Sequence, residues 1–178
     1  MSAQPPTMII VNEHDEKIAE RARKDMVSGD MFRVSEVWIF TPDLKHVLLG
    51  KRAKNKRYSP NLWGSSAAGV HHTEDNDTYI SNALLEVQQE TGIVLQEQDL
   101  RKGPAFISQN DYNDQHAYFV HVFYTLVEKQ NIVLKKQDSE VQELCWWKTQ
   151  EIFAEMKAHP QKFIQNMRGL VDYEKYLV

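Results

Sequence analysis

The sequence predicts an α/β fold built on a mixed or antiparallel sheet. Short apolar runs bounded by turn residues recur along most of the chain and have the composition of strands. One amphipathic helix near the middle follows a segment of small residues, and further helical patterns close the chain. A length of 178 residues suits one domain with a full core. We therefore predict a single domain over residues 1–178, with a core at about 8–155 and a helical tail at about 150–178.

Three strand patterns and a basic loop occupy the first third of the chain. "TPDLK" places a proline and an aspartate between two apolar runs, which predicts a β-hairpin. "GSSAAGV" at 64–70 is a strand or turn of small residues, where another chain segment or a ligand can approach the backbone closely. The remaining segments are strands at 8–12, 34–40 and 46–53, an amphipathic stretch at roughly 17–28, and the basic loop "KRAKNKRYSPNLW" at 51–63.

The central helix is predicted from about Thr78 to Thr91. Asp77 can cap its N-terminus, and Gly92 can end it in a left-handed conformation. Its predicted buried face comprises Ile80, Ala83, Leu84 and Val87. The opposite stripe comprises Asn82, Glu86, Gln89 and Glu90. Beyond it, we predict strands at 105–109, 116–128, 132–134 and 143–147 and helices at 149–159 and 160–177.

Composition argues against several classes of protein. The net charge is -4, from 21 basic and 25 acidic side chains, so neither nucleic acid nor an anionic membrane is an expected partner. No apolar run reaches the length of a membrane span, and the first residues lack the pattern of a signal peptide. The single cysteine, Cys145, excludes an internal disulfide. These features predict a cytoplasmic location.

Glu86 and Glu90 are one helical turn apart, so their carboxylates lie side by side. Two carboxylates that close repel each other unless a cation or a proton sits between them. The alternative is a solvated acidic face, which is common on surface helices. The neighbouring small-residue segment and basic loop favour a site, because Mg²⁺ binds a few rigid carboxylates and fills its other positions with water or phosphate oxygens.

The segment "GVHHTEDNDTYISNALLEVQQETGI" resembles a Nudix box, G-x5-E-x7-R-E-U-x-E-E-x-G-U, where U is apolar. Its second half matches in register at Glu86, Val87, Glu90, Gly92 and Ile93. Asp77 stands at the place of the first glutamate, and Gly69 is the opening glycine if the loop holds two extra residues. Leu85 replaces the arginine, and Gln89 replaces the first glutamate of the pair.

The resemblance extends over about residues 8–155 and is similar to the branch that contains isopentenyl diphosphate isomerase-like hydrolases. It implies a three-layer α/β/α sandwich with a mixed sheet, whose loop-helix-loop box binds Mg²⁺ or Mn²⁺ and cleaves a nucleoside diphosphate derivative. It further implies catalytic and metal-binding roles for Glu86 and Glu90. Gln89, Gly69 and a carboxylate from the late loop would complete the metal site, and "QDSEVQEL" offers Glu140 and Glu143.

The two departures weaken the predicted metal site. Leucine at position 85 cannot orient the neighbouring glutamate by a charge-assisted hydrogen bond. Gln89 keeps an oxygen ligand but brings no negative charge, so metal affinity should fall. The chain is therefore either a working hydrolase with a reduced carboxylate set or a Nudix domain that binds a diphosphate without turning it over. Isomerisation of isopentenyl diphosphate is less favoured, because that activity uses a cysteine and "GSSAAGV" has none.

Other side chains have two interpretations each. Lys51, Arg52, Lys54, Lys56 and Arg57 either grip the diphosphate or form a solvated hairpin end. His71 and His72 either contact a metal or phosphate or are simply exposed. Cys145 is predicted to be a small buried hydrophobe, and Trp146 and Trp147 to divide between core and surface. An exposed strand edge or the helical tail offers a surface for a homodimer.

Overall fold

The computed structural model describes residues 7–73, 78–109 and 116–178. Within these segments nine strands belong to one sheet. The strands are β1 (Thr7–Val11), β2 (Lys17–Ala22), β3 (Met31–Phe40), β4 (His46–Arg52), β5 (Trp63–Gly64), β6 (Ala67–Val70), β7 (Arg101–Gln109), β8 (Ala117–Leu126) and β9 (Val141–Lys148). The helices are α1 (Tyr79–Thr91), α2 (Thr149–Ala158), α3 (Arg168–Val171) and α4 (Glu174–Leu177).

Strand β3 is the hub of the sheet, because it pairs with β1, β4, β6 and β8. Its pairing with β8 is parallel and runs from Phe32 opposite Tyr118 to Phe40 opposite Leu126. The other paired strands are antiparallel, including the predicted β3–β4 hairpin, in which Ile39 lies opposite Leu48. The sheet is therefore mixed, as the sequence predicts.

Helices cover both faces of this sheet. Alternate residues of β3 point to opposite sides, so Val37 and Ile39 pack beneath α1 while Trp38 and Phe40 pack beneath the C-terminal helices. The first layer contributes Ala83 and Val87 of α1, and the second contributes Ile152, Leu170 and Tyr173. The arrangement is the predicted α/β/α sandwich. None of the helices in the described segments combines the length and apolar character needed to cross a bilayer.

Helix α1 and its N-cap each begin one residue later than predicted. Thr78 is the N-cap, and its side-chain oxygen accepts a hydrogen bond from the Ser81 backbone N at 3.1 Å. Asp77 lies outside the described residues. Gly92 ends the helix at φ 77°, as predicted, and its N–H donates to the Gln88 carbonyl.

Replacement of Thr78 by alanine is expected to lower the free energy of unfolding by about 1 kcal/mol, because Ser81 N–H loses its acceptor. Chemical denaturation measures this change. Thr78→Ser, which keeps the hydroxyl, should cost less than half as much. Equal losses in the two variants would show that the hydroxyl is not the source of the stabilisation.

Three segments differ from the sequence-based prediction. The amphipathic stretch at 17–28 forms β2 and a short 3₁₀ turn rather than one element, because residues 17–22 extend the sheet beside β1. The strand predicted at 132–134 does not form: Ile132 and Leu134 pack under α1 while Val133 is 89% exposed. The helix predicted at 160–177 is broken, because Phe163 bridges to Trp63 and the Ile164 N–H donates to the Trp63 carbonyl at 2.9 Å.

A polar network that was not predicted from the sequence anchors the start of α1. The Ser35 hydroxyl donates to the Tyr79 carbonyl at 2.8 Å and lies 2.8 Å from His71 Nε2. Because that hydroxyl has one proton, His71 Nε2 must be the donor to Ser35. The Tyr79 hydroxyl in turn donates to Asp15, whose carboxylate also accepts from Arg33 Nε at 2.7 Å. Ser35 is fully buried, so it acts as an anchor rather than a nucleophile.

Candidate active site

A cavity of about 670 Å³ opens between α1, β3, the basic end of β4 and residues 164–166. Its walls differ in character. One carries acids from α1, one carries cations from β4 and the following loop, and a third is an apolar strip from β3 and β8. The predicted site residues that line it are Gly69, Glu86, Gln89, Glu90, Glu140, Lys51, Arg52, Lys56 and His72.

The two helix carboxylates rest against consecutive residues of β6. Glu90 is 8% exposed, and its Oε2 accepts a hydrogen bond from the Ala68 backbone N at 3.0 Å. The Glu86 carboxylate lies directly over Gly69, because a Cβ added to that glycine would fall 1.7 Å from Glu86 Oε1. Gln89 is exposed at the mouth. The solvated-face interpretation is therefore wrong for Glu90, and the small residues of β6 are what let α1 approach.

The electrostatics of this pair suit a bound cation. Burial, together with the neighbouring Glu86 and Glu140 carboxylates, raises the pKa of Glu90 to about 8, although the Ala68 N–H and Arg52 oppose the shift. A divalent cation between the carboxylates would remove this repulsion. Among the described residues, no group of three or more His, Cys, Asp or Glu side chains is close enough to hold a metal alone. Two carboxylates plus water or phosphate oxygens is a set that Mg²⁺ accepts.

Of the two late carboxylates, Glu140 reaches the cavity. It forms an ion pair with Lys56, and its backbone carbonyl accepts from Ala53 N at 2.9 Å. Glu143 is exposed, lies opposite Lys51 in the β4–β9 register, and is not among the cavity-lining residues described. The geometry therefore separates the two candidates that the sequence left equal.

The basic side chains divide into two groups. Lys51, Arg52 and Lys56 line the cavity, and Arg52 Nε donates to the Tyr58 carbonyl at 3.0 Å, which ties the loop back to β4. Lys54 is exposed and away from the described lining. Arg57 lies over the Tyr58 ring at 5.3 Å and lines a smaller adjoining cavity of about 240 Å³. That cavity also contains Arg23, Lys24 and His116.

The remaining candidates divide between the protein interior and the cavity wall. His71 is 1% exposed rather than solvated, and burial lowers its pKa to about 3, so the imidazole is neutral. His72 is half-buried at the cavity wall. Cys145 is half-buried against the C-terminal layer and burial raises its thiol pKa, which fits a packing role. Trp146 and Trp147 point to opposite faces of the sheet, yet both are partly buried in a core cluster.

Glu36 is a cavity residue that the sequence-based analysis missed. It lies in β3, is 6% exposed, and accepts a hydrogen bond from the Trp38 indole N–H. Burial raises its pKa from 4.5 to about 7, although the Trp38 hydrogen bond opposes the shift. The signal in the sequence was a glutamate inside the otherwise apolar strand "VSEVWIF".

The raised pKa predicts a specific pH dependence of stability. The folded protein holds the Glu36 proton above pH 4.5 while the unfolded chain releases it, so stability falls as pH rises to about 7 and is then level. Glu36→Gln removes this penalty and should gain up to about 3 kcal/mol at pH 8 relative to its effect at pH 4. Denaturant titrations of both proteins at the two pH values measure the gain. If the free energy of unfolding changed with pH in the same way in both proteins, the raised pKa of Glu36 would be contradicted.

The mixed sandwich and its acid-bearing helix define a Nudix-type domain. A family model for the NUDIX domain matches residues 32–167, so the chain belongs to the Nudix hydrolase family. It is 25% identical over 147 residues to an uncharacterized Nudix hydrolase, YfcD, of Salmonella typhi, covering 82% of this chain and 73% of that protein. It is 27% identical over 121 residues to an isopentenyl-diphosphate Δ-isomerase of Aliivibrio fischeri, covering 67% and 65%. It spans only 19% of Arabidopsis thaliana Nudix hydrolase 3, to which 74% of this chain aligns at 26% identity.

Solved structures share this fold at low sequence identity. DR0079 from Deinococcus radiodurans aligns with a TM-score of 0.71 at 16% identity and covers 94% of this chain and 98% of its own. The Nudix domain of Shewanella oneidensis NrtR, solved with ADP ribose, gives 0.58 at 15% identity over 78% and 89%. A Francisella tularensis NMN adenylyltransferase/ADP ribose pyrophosphatase, solved with AMP and a manganese ion, gives 0.59 at 14% over 83% and 42%.

Proposed function

We propose that this protein is a metal-dependent hydrolase that cleaves the diphosphate bond of a nucleoside diphosphate derivative or a similar small diphosphate. One observation carries the proposal: the Glu86 and Glu90 carboxylates converge on β6 in a cavity whose lining also includes Lys51, Arg52 and Lys56. The oxygens of a diphosphate carry several negative charges, and this cavity offers both a cation site and basic side chains to balance them.

In this mechanism Glu86 and Glu90 would hold Mg²⁺ or Mn²⁺ directly, with Gln89 and the Gly69 backbone beside them. Glu140 would act through water, because no three acidic side chains of the described residues are close enough to hold a metal together. The bound ion would neutralise phosphate charge and lower the pKa of a water. Lys51 and Arg52 bind the outer phosphate oxygens. The water oxygen forms a bond to one phosphorus while the bond from that phosphorus to the bridging oxygen breaks. The bridging oxygen leaves with the bonding electron pair, and a site carboxylate takes the proton of the water.

Support from related structures concerns the ligand class. ADP ribose is the ligand of the NrtR Nudix domain, and the Francisella protein is described as an ADP ribose pyrophosphatase. We therefore place nucleoside diphosphate sugars first among substrates. We further propose that residues 1–178 act as one domain, because α2, α3 and α4 pack on the same sheet as β3. A cytoplasmic location and a homodimer remain parts of the proposal, supported by the cysteine content and by fold analogy.

A second candidate function is a Nudix domain that binds such a ligand without cleaving it. Leu85 is half-buried and cannot orient Glu86, and Gln89 supplies no charge. Two of the charged positions of the box are therefore lost, while the cavity itself is intact.

The deciding experiment is turnover of nucleoside diphosphate sugars, dinucleoside polyphosphates, nucleoside triphosphates and isoprenoid diphosphates with Mg²⁺ or Mn²⁺, read by mass spectrometry. Hydrolysis of a diphosphate bond is the expected result, and the products identify the bond cleaved. Turnover of no compound would reject the hydrolase in favour of the binding domain. Isomerisation of isopentenyl diphosphate without hydrolysis would reject both.

A further inference from the structure

Glu36 is a buried ionisable side chain whose presence the packing of the protein does not explain. Among the described residues, its hydrogen-bond partner is the Trp38 indole, and it forms no ion pair. A neutral amide or hydroxyl would satisfy that indole equally well. Burying an ionisable carboxyl without a cationic partner is costly, so packing alone does not account for a glutamate here.

The surroundings of Glu36 form a binding surface with a closed end. Phe32, Val34 and Glu36 share one face of β3, and Tyr118 and Val120 lie beside the first two in the parallel register of β8. The Phe32 and Tyr118 rings stack with centroids 5.2 Å apart. We call these five residues the floor of the cavity.

Gly169 of α3 closes the inner end of this floor. A Cβ at that position would fall 2.1 Å from Trp38 Nε1 and 2.7 Å from Glu36 Oε1. The Tyr124 hydroxyl holds the same turn by donating to the Gly169 carbonyl at 2.7 Å. A flat organic group lying on the apolar part of the floor therefore ends against the Glu36 carboxyl, whose second oxygen has no described hydrogen-bond partner within the protein.

We propose that Glu36 is a specificity residue that accepts a hydrogen bond from an N–H donor on the organic group of the substrate, such as the exocyclic amine of a nucleobase. This inference rests on the proposed function, because the diphosphate of the same molecule would lie at Glu86 and Glu90. A pure hydrocarbon group fits poorly, since it would bury the carboxyl without a partner. A base with a carbonyl oxygen at this point would bind weakly, because the carbonyl oxygen and the Glu36 carboxylate are both hydrogen-bond acceptors.

The test compares substrates that differ only by an amine or a carbonyl: adenosine against inosine, and cytidine against uridine, as diphosphate sugars. At pH 8.5 Glu36 is ionised and acts purely as an acceptor. For at least one pair, the wild-type protein should have a kcat/KM about tenfold or more higher for the substrate that carries the amine. The difference should lie in KM.

Glu36→Gln is the informative variant. The amide oxygen of the glutamine can still accept the hydrogen bond from Trp38. Its NH₂ group then points toward the substrate as a donor. The preference should shrink to below about twofold or reverse toward the carbonyl member. Glu97→Gln, which changes an exposed acid away from the described cavity lining, should keep the wild-type preference. Equal use of both members by wild type, or an unchanged ratio in Glu36→Gln, would overturn the proposal.

Binding measurements separate this inference from the proposed hydrolysis. If no compound turns over, the dissociation constants of the same pairs are measured by calorimetry. An amine preference that disappears in Glu36→Gln would support the specificity role although the hydrolase is rejected. Equal affinities, or no binding of either pair, would reject the specificity role.

Discussion

Replacing Glu90 by glutamine is expected to reduce kcat for diphosphate hydrolysis by at least about 100-fold. Glu90 is 8% exposed, and its carboxylate is held in place by the Ala68 N–H. Glutamine has nearly the same shape and can keep that hydrogen bond, so the fold should remain intact. What is lost is the negative charge beside Glu86, and with it the affinity of the pair for a divalent cation.

Two measurements distinguish a loss of metal binding from a loss of structure. The Mg²⁺ concentration for half-maximal activity should rise in Glu90→Gln, whereas circular dichroism should match the wild-type protein. The thermal transition without metal should lie at or above the wild-type value, because glutamine removes the cost of burying the Glu90 carboxylate. Glu97→Gln controls for removal of one negative charge elsewhere, and it should leave kcat unchanged. Full activity of Glu90→Gln would show that hydrolysis does not use the helix carboxylate pair.

Gly69→Ala should have a comparable effect without touching a charged group. The new Cβ would overlap the Glu86 carboxylate, since that position is 1.7 Å from Oε1 and 2.0 Å from Cδ. A carboxylate at the end of a flexible side chain can rotate away, so the protein should fold while Glu86 leaves β6. Displacement of a ligand by about an ångström can cost on the order of 100-fold in rate. We therefore expect kcat/KM to fall by about that factor with Mg²⁺.

Shortening the displaced side chain provides the matched test. Gly69→Ala combined with Glu86→Asp withdraws the carboxylate by one methylene and should recover activity relative to Gly69→Ala alone, although Glu86→Asp by itself lowers activity. Such coupling is expected only for groups in direct contact. Additive losses in the double variant would mean that the glycine acts through the backbone of β6 rather than by making room for Glu86.

Local signals predicted the elements that carry the box. These signals are the apolar periodicity of α1, the αL position of Gly92 and the turn residues between β3 and β4. Each depends on residues fewer than about five positions apart, so the sequence shows it directly. The small residues of β6 were also informative, because Gly69 leaves room for Glu86. The resemblance to a Nudix box predicted the family that the domain model confirms.

Tertiary contacts overrode local pattern elsewhere. Residues 132–134 have a strand-like composition, but they cover the end of α1 instead, where the Lys135 N–H donates to the Thr91 carbonyl at 2.8 Å. After residue 160 the predicted helix does not form, because Phe163 pairs with Trp63 at the edge of the sheet. This pairing brings residues 164–166 to the cavity. Neither outcome is visible in periodicity, because each depends on a partner segment that is remote in the sequence.

By itself the sequence determined the α/β class, the central helix and the pairing of Glu86 with Glu90 on one helical stripe, because these follow from periods and spacings within one segment. Only the tertiary structure decided that Glu90 is buried while Gln89 is exposed, that Glu140 rather than Glu143 lines the cavity, and that Glu36 lies at its closed end. Burial and charge environment depend on which distant segments pack together, and that information appears only when the chain is folded.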